Sequence, residues 1–149
     1  MWEVKQFKDL TKDEIFQMYK LRSEVFVVEQ DRLYQDVDDI DLTAYHLLNL
    51  EDNILKAYAR IFPEDDHISF GRVVVSKQKR GTGMGGKLVK KILVTIKNEF
   101  PNQNIEIHAE DYVQHFYEKF GFKRIGEVIT FNNSPHVKMV LKNQPALKH

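Results

Sequence analysis

Residues 78–86, QKRGTGMGG, concentrate the residue types that hold phosphate. Glycine lets backbone N–H groups come close to an anion, because no Cβ stands in the way. The start of a helix adds unpaired N–H groups and the positive end of the helix dipole. Three phosphate patterns overlap here. Gly81, Gly83 and Gly86 spell the G-x-G-x-x-G of dinucleotide binding. Gly81, Gly86 and Lys87 spell most of a Walker A loop. Arg80, Gly83 and Gly85 spell R-x-x-G-x-G, a pyrophosphate cradle of the kind that holds coenzyme A.

Two of the three fail on chemistry. A Walker A lysine is followed by a hydroxyl that holds magnesium, and here Leu88 follows Lys87. A dinucleotide loop begins at the strand end, but residues 77–80 intervene before Gly81. The acidic residue expected on the ribose would be Glu106, which lies inside a predicted strand. The third pattern places Arg80 to add a charge-assisted bond to the anion. Met84 completes the cradle between its glycines.

A second group of reactive side chains lies downstream. Tyr117, Gly121 and Phe122 form Y-x-x-x-G-F about thirty residues after the glycines, with the tyrosine on a short helix that Gly121 stops. A phenol near pKa 10 can protonate a thiolate formed beside it. Glu29, His46, His108 and His136 are candidates to take a proton or to meet a substrate, and relayed water could replace any of them. Histidine and carboxylate spacing gives no metal set, and H-E-x-x-H is absent.

The elements that must carry these groups are legible in the pattern. Residues 2–7 alternate as a strand. A helix follows over 11–29, with Thr11 and Glu14 as a capping box and Ile15, Met18, Tyr19, Arg22, Val25 and Phe26 along one stripe. Residues 29–41 hold six acidic groups and one arginine, and suggest an ordered loop or short helix on the surface. Attraction of a cationic amine is one reading of that run; a solvated charge run is the plainer one and is preferred. A hairpin turning at Asp52-Asn53, a strand ending in Val73, Val74 and Val75, and a helix from Met84 come next. A strand over 104–110, the tyrosine helix, and two closing strands around residues 132–135 complete the chain.

The order is β-α-βββ-α-β-α-ββ. It predicts one mixed α/β (α+β) domain over 1–149, with a twisted, mostly antiparallel sheet of seven strands flanked by helices. The last residues, 143–149, are expected to fray. Lys plus Arg and Asp plus Glu are each 22, and a net charge of zero argues against a nucleic-acid partner. The chain has no cysteine, which removes disulfides, cysteine-ligated zinc and a cysteine thioester intermediate. The first residues are too polar for a signal sequence, and no segment is apolar enough to span a membrane. A cytoplasmic location is the simplest expectation.

The pairing of R-x-x-G-x-G after a β-branched strand with Y-x-x-x-G-F after the next strand resembles the GNAT superfamily of N-acetyltransferases. LRSEVFVVEQ, YQDVDDID and HLL in the first third, with SPH near the end, look like its ElaA-like branch. Relatives often carry Cys-Pro before the loop tyrosine, where Arg32-Leu33 precede Tyr34 here. The resemblance implies acetyl-CoA in a V-shaped opening between the fourth and fifth strands. Backbone groups of Val73 and Val75 would pair with the pantetheine arm, and an N–H near Val74 would polarise the thioester. Gly81, Gly83, Gly85 and Gly86 would hold the pyrophosphate. Tyr117 would act as general acid. Catalytic roles also fall to Glu29 or His108, and acceptor contacts to Glu29, His46 or His136. Many members contact pantetheine with an asparagine after the fifth strand; Asp111 or Gln114 would replace it here. The implied partners are acetyl-CoA and an unidentified amine, with a homodimer plausible by resemblance. A longer acyl donor and a non-catalytic acyl-CoA sensor stay open.

Overall fold

A computed structural model describes residues 1–143 of the 149. Strand β1 (Trp2–Gln6) leads through a 3-10 turn to α1 (Lys12–Arg22). The capping box forms as the sequence predicts. Thr11 Oγ1 accepts from the Glu14 N–H at 3.0 Å, and Glu14 Oε1 accepts from the Thr11 N–H at 2.8 Å. The helix does not run uniformly to Glu29. From Ser23 to Glu29 it widens into a π-helix, closed by N–H groups of Gln30 and Arg32 bonding back five residues to Val25 and Val27 at 3.1 Å each. Such widened turns re-aim side chains and are frequent at functional sites.

A four-residue helix, α2 (Ile40–Thr43), follows the acidic segment. Then come β2 (Tyr45–Glu51), β3 (Ile54–Pro63), β4 (Ile68–Val75), α3 (Met84–Glu99), β5 (Ile105–Glu110), α4 (Gln114–Glu118), β6 (Lys123–Phe131) and β7 (Ser134–Leu141). The seven strands form one sheet in the order β1-β2-β3-β4-β5-β7-β6, antiparallel except for β4 against β5. Asp52 and Asn53 turn the β2–β3 hairpin with φ of 53° and 62°, and Asn132 and Asn133 turn β6–β7 with 50° and 61°. Two left-handed residues in a row match the twist of hairpin strands.

Two cores sandwich the sheet. On one face, Leu88, Val89, Ile92 and Ile96 of α3 pack with Phe70, Ile107, Tyr117 and Phe122. On the other, Met18, Leu21, Val25 and Phe26 pack on Leu48, Tyr58 and Val74. Arg22, read as part of an apolar stripe, is wholly buried in the second layer. Of the tail expected to fray, Asn143 donates its N–H to Asn104 Oδ1 at 2.7 Å; residues 144–149 lie outside the described residues.

Candidate active site

β4 and β5 are paired only at their starts. Ile68 stands opposite Ile105, and the Ile68 N–H donates to the Asn104 carbonyl at 2.9 Å. Beyond that point β4 stays with β3 while β5 turns to β7. The parted edges open a cleft of about 790 Å³. Parallel strands that separate this way leave the facing row of backbone groups on each strand without a ladder partner.

The cleft takes its lining from several elements. Val73, Val74 and Val75 form one wall, with Arg80 at the loop end. His108, Ala109 and Glu110 of β5 form the other wall, and Tyr117 of α4 lies between. Glu29, at the end of the π-helix, and His136 of β7 also reach it. Thus Glu29, His108, Tyr117 and His136 share one cleft with Val73–Val75 and Arg80.

Which N–H groups of β4 face the opening follows from its hydrogen bonds. The Ile68 N–H points to β5, whereas the Ser76 N–H donates to Lys56 of β3 at 2.8 Å. Backbone groups alternate along a strand, so positions eight apart should face the same edge. They do not, because β4 carries one extra residue between Gly71, opposite Arg60, and Val74, opposite Tyr58. The alternation counted back from Ser76 gives the Val74 N–H to β3 and leaves those of Val73 and Val75 on the open edge. The Val74 N–H therefore does not face the opening, and its neighbours at Val73 and Val75 do. An isolated glycine in a strand is the sequence signal for such a bulge, and Gly71 supplied it.

The glycine loop has the geometry of an anion cradle. Gly81 and Gly83 have φ of 77° and 85°, which side-chain-bearing residues rarely adopt. A Cβ at Gly81, Gly83 or Gly86 would meet nothing within 4 Å, so the space above the loop is open. Met84, Gly85 and Gly86 form the first turn of the sixteen-residue α3, whose N–H groups a helix cannot satisfy from within. Arg80 lies beside it, in a two-point ion pair with Glu29 at 2.5 and 2.9 Å. The guanidinium, chiefly by these hydrogen bonds, holds the Glu29 carboxyl below its ordinary range.

Tyr117 is 6% exposed and packs on Phe70, Phe116 and Phe122. Burial pushes its phenol pKa up, with smaller contributions from Glu110 and Tyr112. The group therefore stays protonated and able to donate. His108 stacks on Phe131 at 4.7 Å. Partial burial lowers its pKa, helped by His136 and Lys138 nearby, so the ring is neutral at neutral pH. His136 is buried and donates from Nδ1 to the Ser134 carbonyl at 2.9 Å.

Three expectations are corrected. His46 does not line the cleft. Its ring is fully buried, with Nε2 donating to the Asp41 carbonyl at 2.8 Å and Nδ1 2.6 Å from the Tyr58 hydroxyl. Both nitrogens are occupied, so no substrate contact remains. Nor do Asp111 and Gln114 face the opening. Gln114 donates back to the Asp111 carbonyl at 2.9 Å, and Tyr112 and Val113 line the cleft instead.

The acidic segment is a solvated run only in part. Glu29, Asp31 and Asp39 are exposed, but Asp36 and Asp41 are buried. Arg22 bonds both, at 2.9 Å to Asp36 and 2.7 Å to Asp41. Arg60 bonds Asp38 at 2.6 Å and Asp41 at 3.0 Å, and Arg72 bonds Asp36 at 2.9 Å. Charges already neutralised by arginines attract a cationic amine only weakly. Sequence reading missed these partners because they come from three elements far apart in the chain. The Arg32–Glu110 ion pair, formed by two residues that line the cleft, was missed for the same reason.

The fold also gathers Asp66, His67 and Glu106, whose ligand atoms lie within 4.8 Å of one another. His67 Nδ1 is 2.8 Å from Asp66 and 2.5 Å from Glu106. The Lys138 ammonium sits 3.1 Å from the other Glu106 oxygen, so a cation is already supplied there.

A sheet parted between its fourth and fifth strands, with a glycine-rich helix start following the fourth, is shared with acyl-CoA N-acyltransferases, and the protein is an enzyme of that class. The family model of the acetyltransferase (GNAT) domain matches residues 6–143, and the chain belongs to that family. It is 36% identical to protein ElaA of Escherichia coli over 143 residues, which cover 93% of this chain and 94% of that protein. The crystal structure of E. coli ElaA superposes with a TM-score of 0.89 at 35% identity, covering 94% of this chain and 98% of the other. An acyl-CoA N-acyltransferase from Pseudomonas aeruginosa is equally similar, with a TM-score of 0.89, 34% identity and coverage of 94% and 97%. Among the described residues, no helix is long and apolar enough to cross a membrane.

Proposed function

We propose that the protein is an N-acetyltransferase that moves an acetyl group from acetyl-CoA to an amine by direct attack, with both substrates bound at once. The observation that supports this best is the parted β4–β5 edge, whose cleft is lined by Val73–Val75, Arg80 and Tyr117. Acetyl-CoA supplies an acyl group already activated as a thioester. The N–H groups of residues 81–86, with Arg80, hold its pyrophosphate. The open edge of β4 pairs with the pantetheine arm as an added strand would, through Val73 and Val75. The Val73 N–H polarises the thioester carbonyl, an oxyanion-hole role. Tyr117 gives its proton to the leaving thiolate.

His108 is the favoured acceptor of the proton from the attacking amine, because its ring is neutral and lines the cleft. Glu29 is engaged by Arg80 and becomes free only when phosphate takes its place. It then offers a carboxylate to a cationic acceptor, and His136 is a second acceptor contact in the same cleft. A cytoplasmic location and a homodimer belong to the same proposal; β6, exposed along its whole length, offers an edge for a second copy.

A longer acyl donor is the second reading. Phe62, Phe116 and Phe131 also line the cleft and give apolar surface suited to a longer chain. Calorimetry with acetyl-CoA, hexanoyl-CoA, ATP and NAD tests both, on wild type and Gly86→Val. Acetyl-CoA binding that Gly86→Val abolishes is the expected result. Preference for hexanoyl-CoA selects the second reading, and binding of NAD or ATP instead sinks both. Tight binding of acetyl-CoA without turnover across a panel of amines would mean a sensor rather than an enzyme.

A further inference from the structure

Arg72 lies within β4 with φ of 52°, a left-handed backbone that side-chain-bearing residues rarely adopt. It is one of the two residues, with Val73, that lie between Gly71 and Val74 where β3 has one. That extra residue reverses the alternation and turns the Val73 N–H, rather than the Val74 N–H, to the cleft. Glycine would adopt this backbone freely, yet the neighbouring glycine is Gly71 and an arginine carries the strain.

The arginine side chain is held firmly. Nε donates to Asp36 Oδ1 at 2.9 Å and Nη2 to the Asp36 carbonyl at 3.0 Å. The guanidinium stacks over the Tyr34 ring, 5.2 Å from its centre. Asp36 is itself fixed from three sides. Arg22 donates to its Oδ2 at 2.9 Å and to its carbonyl at 2.6 Å, and the Tyr34 hydroxyl donates to Oδ1 at 2.6 Å. Arg22 belongs to α1, so the helix is linked through Asp36 to the bulge. Gly71, Arg72, Val73 and Val74 all line the cleft at that point.

We propose that Arg72 is a positioning residue, and that the grip of Asp36 on its guanidinium holds the left-handed turn that decides which N–H groups of β4 face the cleft. What those N–H groups meet rests on the acyl-CoA reading above; the hold itself does not. Asp36 thereby gains a role in the site without itself lining the cleft.

Arg72→Ala and Arg72→Gly separate this from simple stabilisation. Both lose the guanidinium and leave Asp36 paired with Arg22, but only glycine tolerates the left-handed backbone. The readout is amide hydrogen exchange of the ligand-free protein, resolved by residue. Wild type should protect the Val74 N–H, bonded to β3, and leave that of Val73 open. Arg72→Ala is expected to speed Val74 exchange by about tenfold or more as the bulge relaxes, and Arg72→Gly to keep the wild-type pattern. If Arg72→Ala does not fold, Arg72→Lys takes its place, since it keeps the charge and loses the two-point grip. An unchanged pattern in the alanine or lysine variant overturns the proposal, as does equal disturbance in the glycine variant. A second readout is the carbonyl stretch of bound acetyl-CoA, lowered in wild type and Arg72→Gly but not in Arg72→Ala. Should wild type bind no acetyl-CoA, the proposed function fails while the exchange pattern still decides on Arg72.

Discussion

The Tyr117 ring is packed on three aromatic neighbours, and these contacts are made by the ring, which phenylalanine keeps. Removing that oxygen therefore costs little packing. Tyr117→Phe is expected to lower kcat by roughly 10²–10³, in the range for a lost general acid, with donor affinity within about twofold. A fall in donor affinity with kcat unchanged would make the residue a packing group only. Glu29 is tested in the opposite direction. In Glu29→Gln the Arg80 fork no longer faces a carboxylate, so acetyl-CoA should bind about two- to fivefold more tightly at low salt, as suits the loss of an exposed competing ion pair. Weaker binding would show that Glu29 orients Arg80 for phosphate rather than competing with it. Arg80, Val73–Val75 and Tyr117 line one cleft; the glycine and tyrosine patterns are local in sequence, whereas the valines were assigned through the family resemblance. His46 was misread because a histidine's type says nothing of whether both nitrogens are already bonded. Arg60 and Arg72 went unnoticed because their carboxylate partners are 22 and 36 positions away.

Elements were easier to read than sites. Thr11 with Glu14, Asp52-Asn53 and Gly121 each mark a boundary by a local rule, and the structure ends its elements there within a residue or two. The π-helix over Ser23–Glu29 left no such mark, since it keeps a helical apolar stripe through Val25 and Phe26. The glycine loop separates two uses of one residue type. Gly83 has φ of 85°, so Gly83→Ala is strained whether or not a ligand binds; it should lose about 1–2 kcal/mol of stability. Gly86 has an ordinary helical backbone with open space around it. Gly86→Val should leave stability within about 1 kcal/mol and still abolish donor binding, because its side chain occupies the space a phosphate needs. Urea unfolding beside calorimetry checks both. Retained donor binding in Gly86→Val would move the phosphate away from the start of α3.

Across the whole molecule, the buried polar layer between α1 and the sheet ties stability to pH. Burial disfavours the His46 imidazolium and lowers its pKa, despite the Asp41 carbonyl beside it. The unfolded chain then takes up this proton first as pH falls. Stability from His46 is therefore complete above about pH 6.5, the ordinary histidine value, and is lost on the way down to its folded value. His108, also lowered, adds a contribution of the same sign. Asp38 and Asp41 act further down the scale. Burial alone would raise their pKa values, but the hydrogen bonds from Arg60 and Arg22 outweigh it and lower both. Their contribution is present above the unfolded value near 3.9 and disappears as pH falls through the folded one. Urea midpoints should thus decline in two stages, one beginning below about pH 6.5 and one below about pH 4. His46→Gln keeps a polar side chain at the site and should cost roughly 1–3 kcal/mol at pH 8 through imperfect bonding to Tyr58 and Asp41. Its first stage should shrink to the His108 part while the second remains. A first stage of undiminished size in His46→Gln would remove His46 from the account, and no second stage would mean that the Asp–Arg layer does not govern acid unfolding.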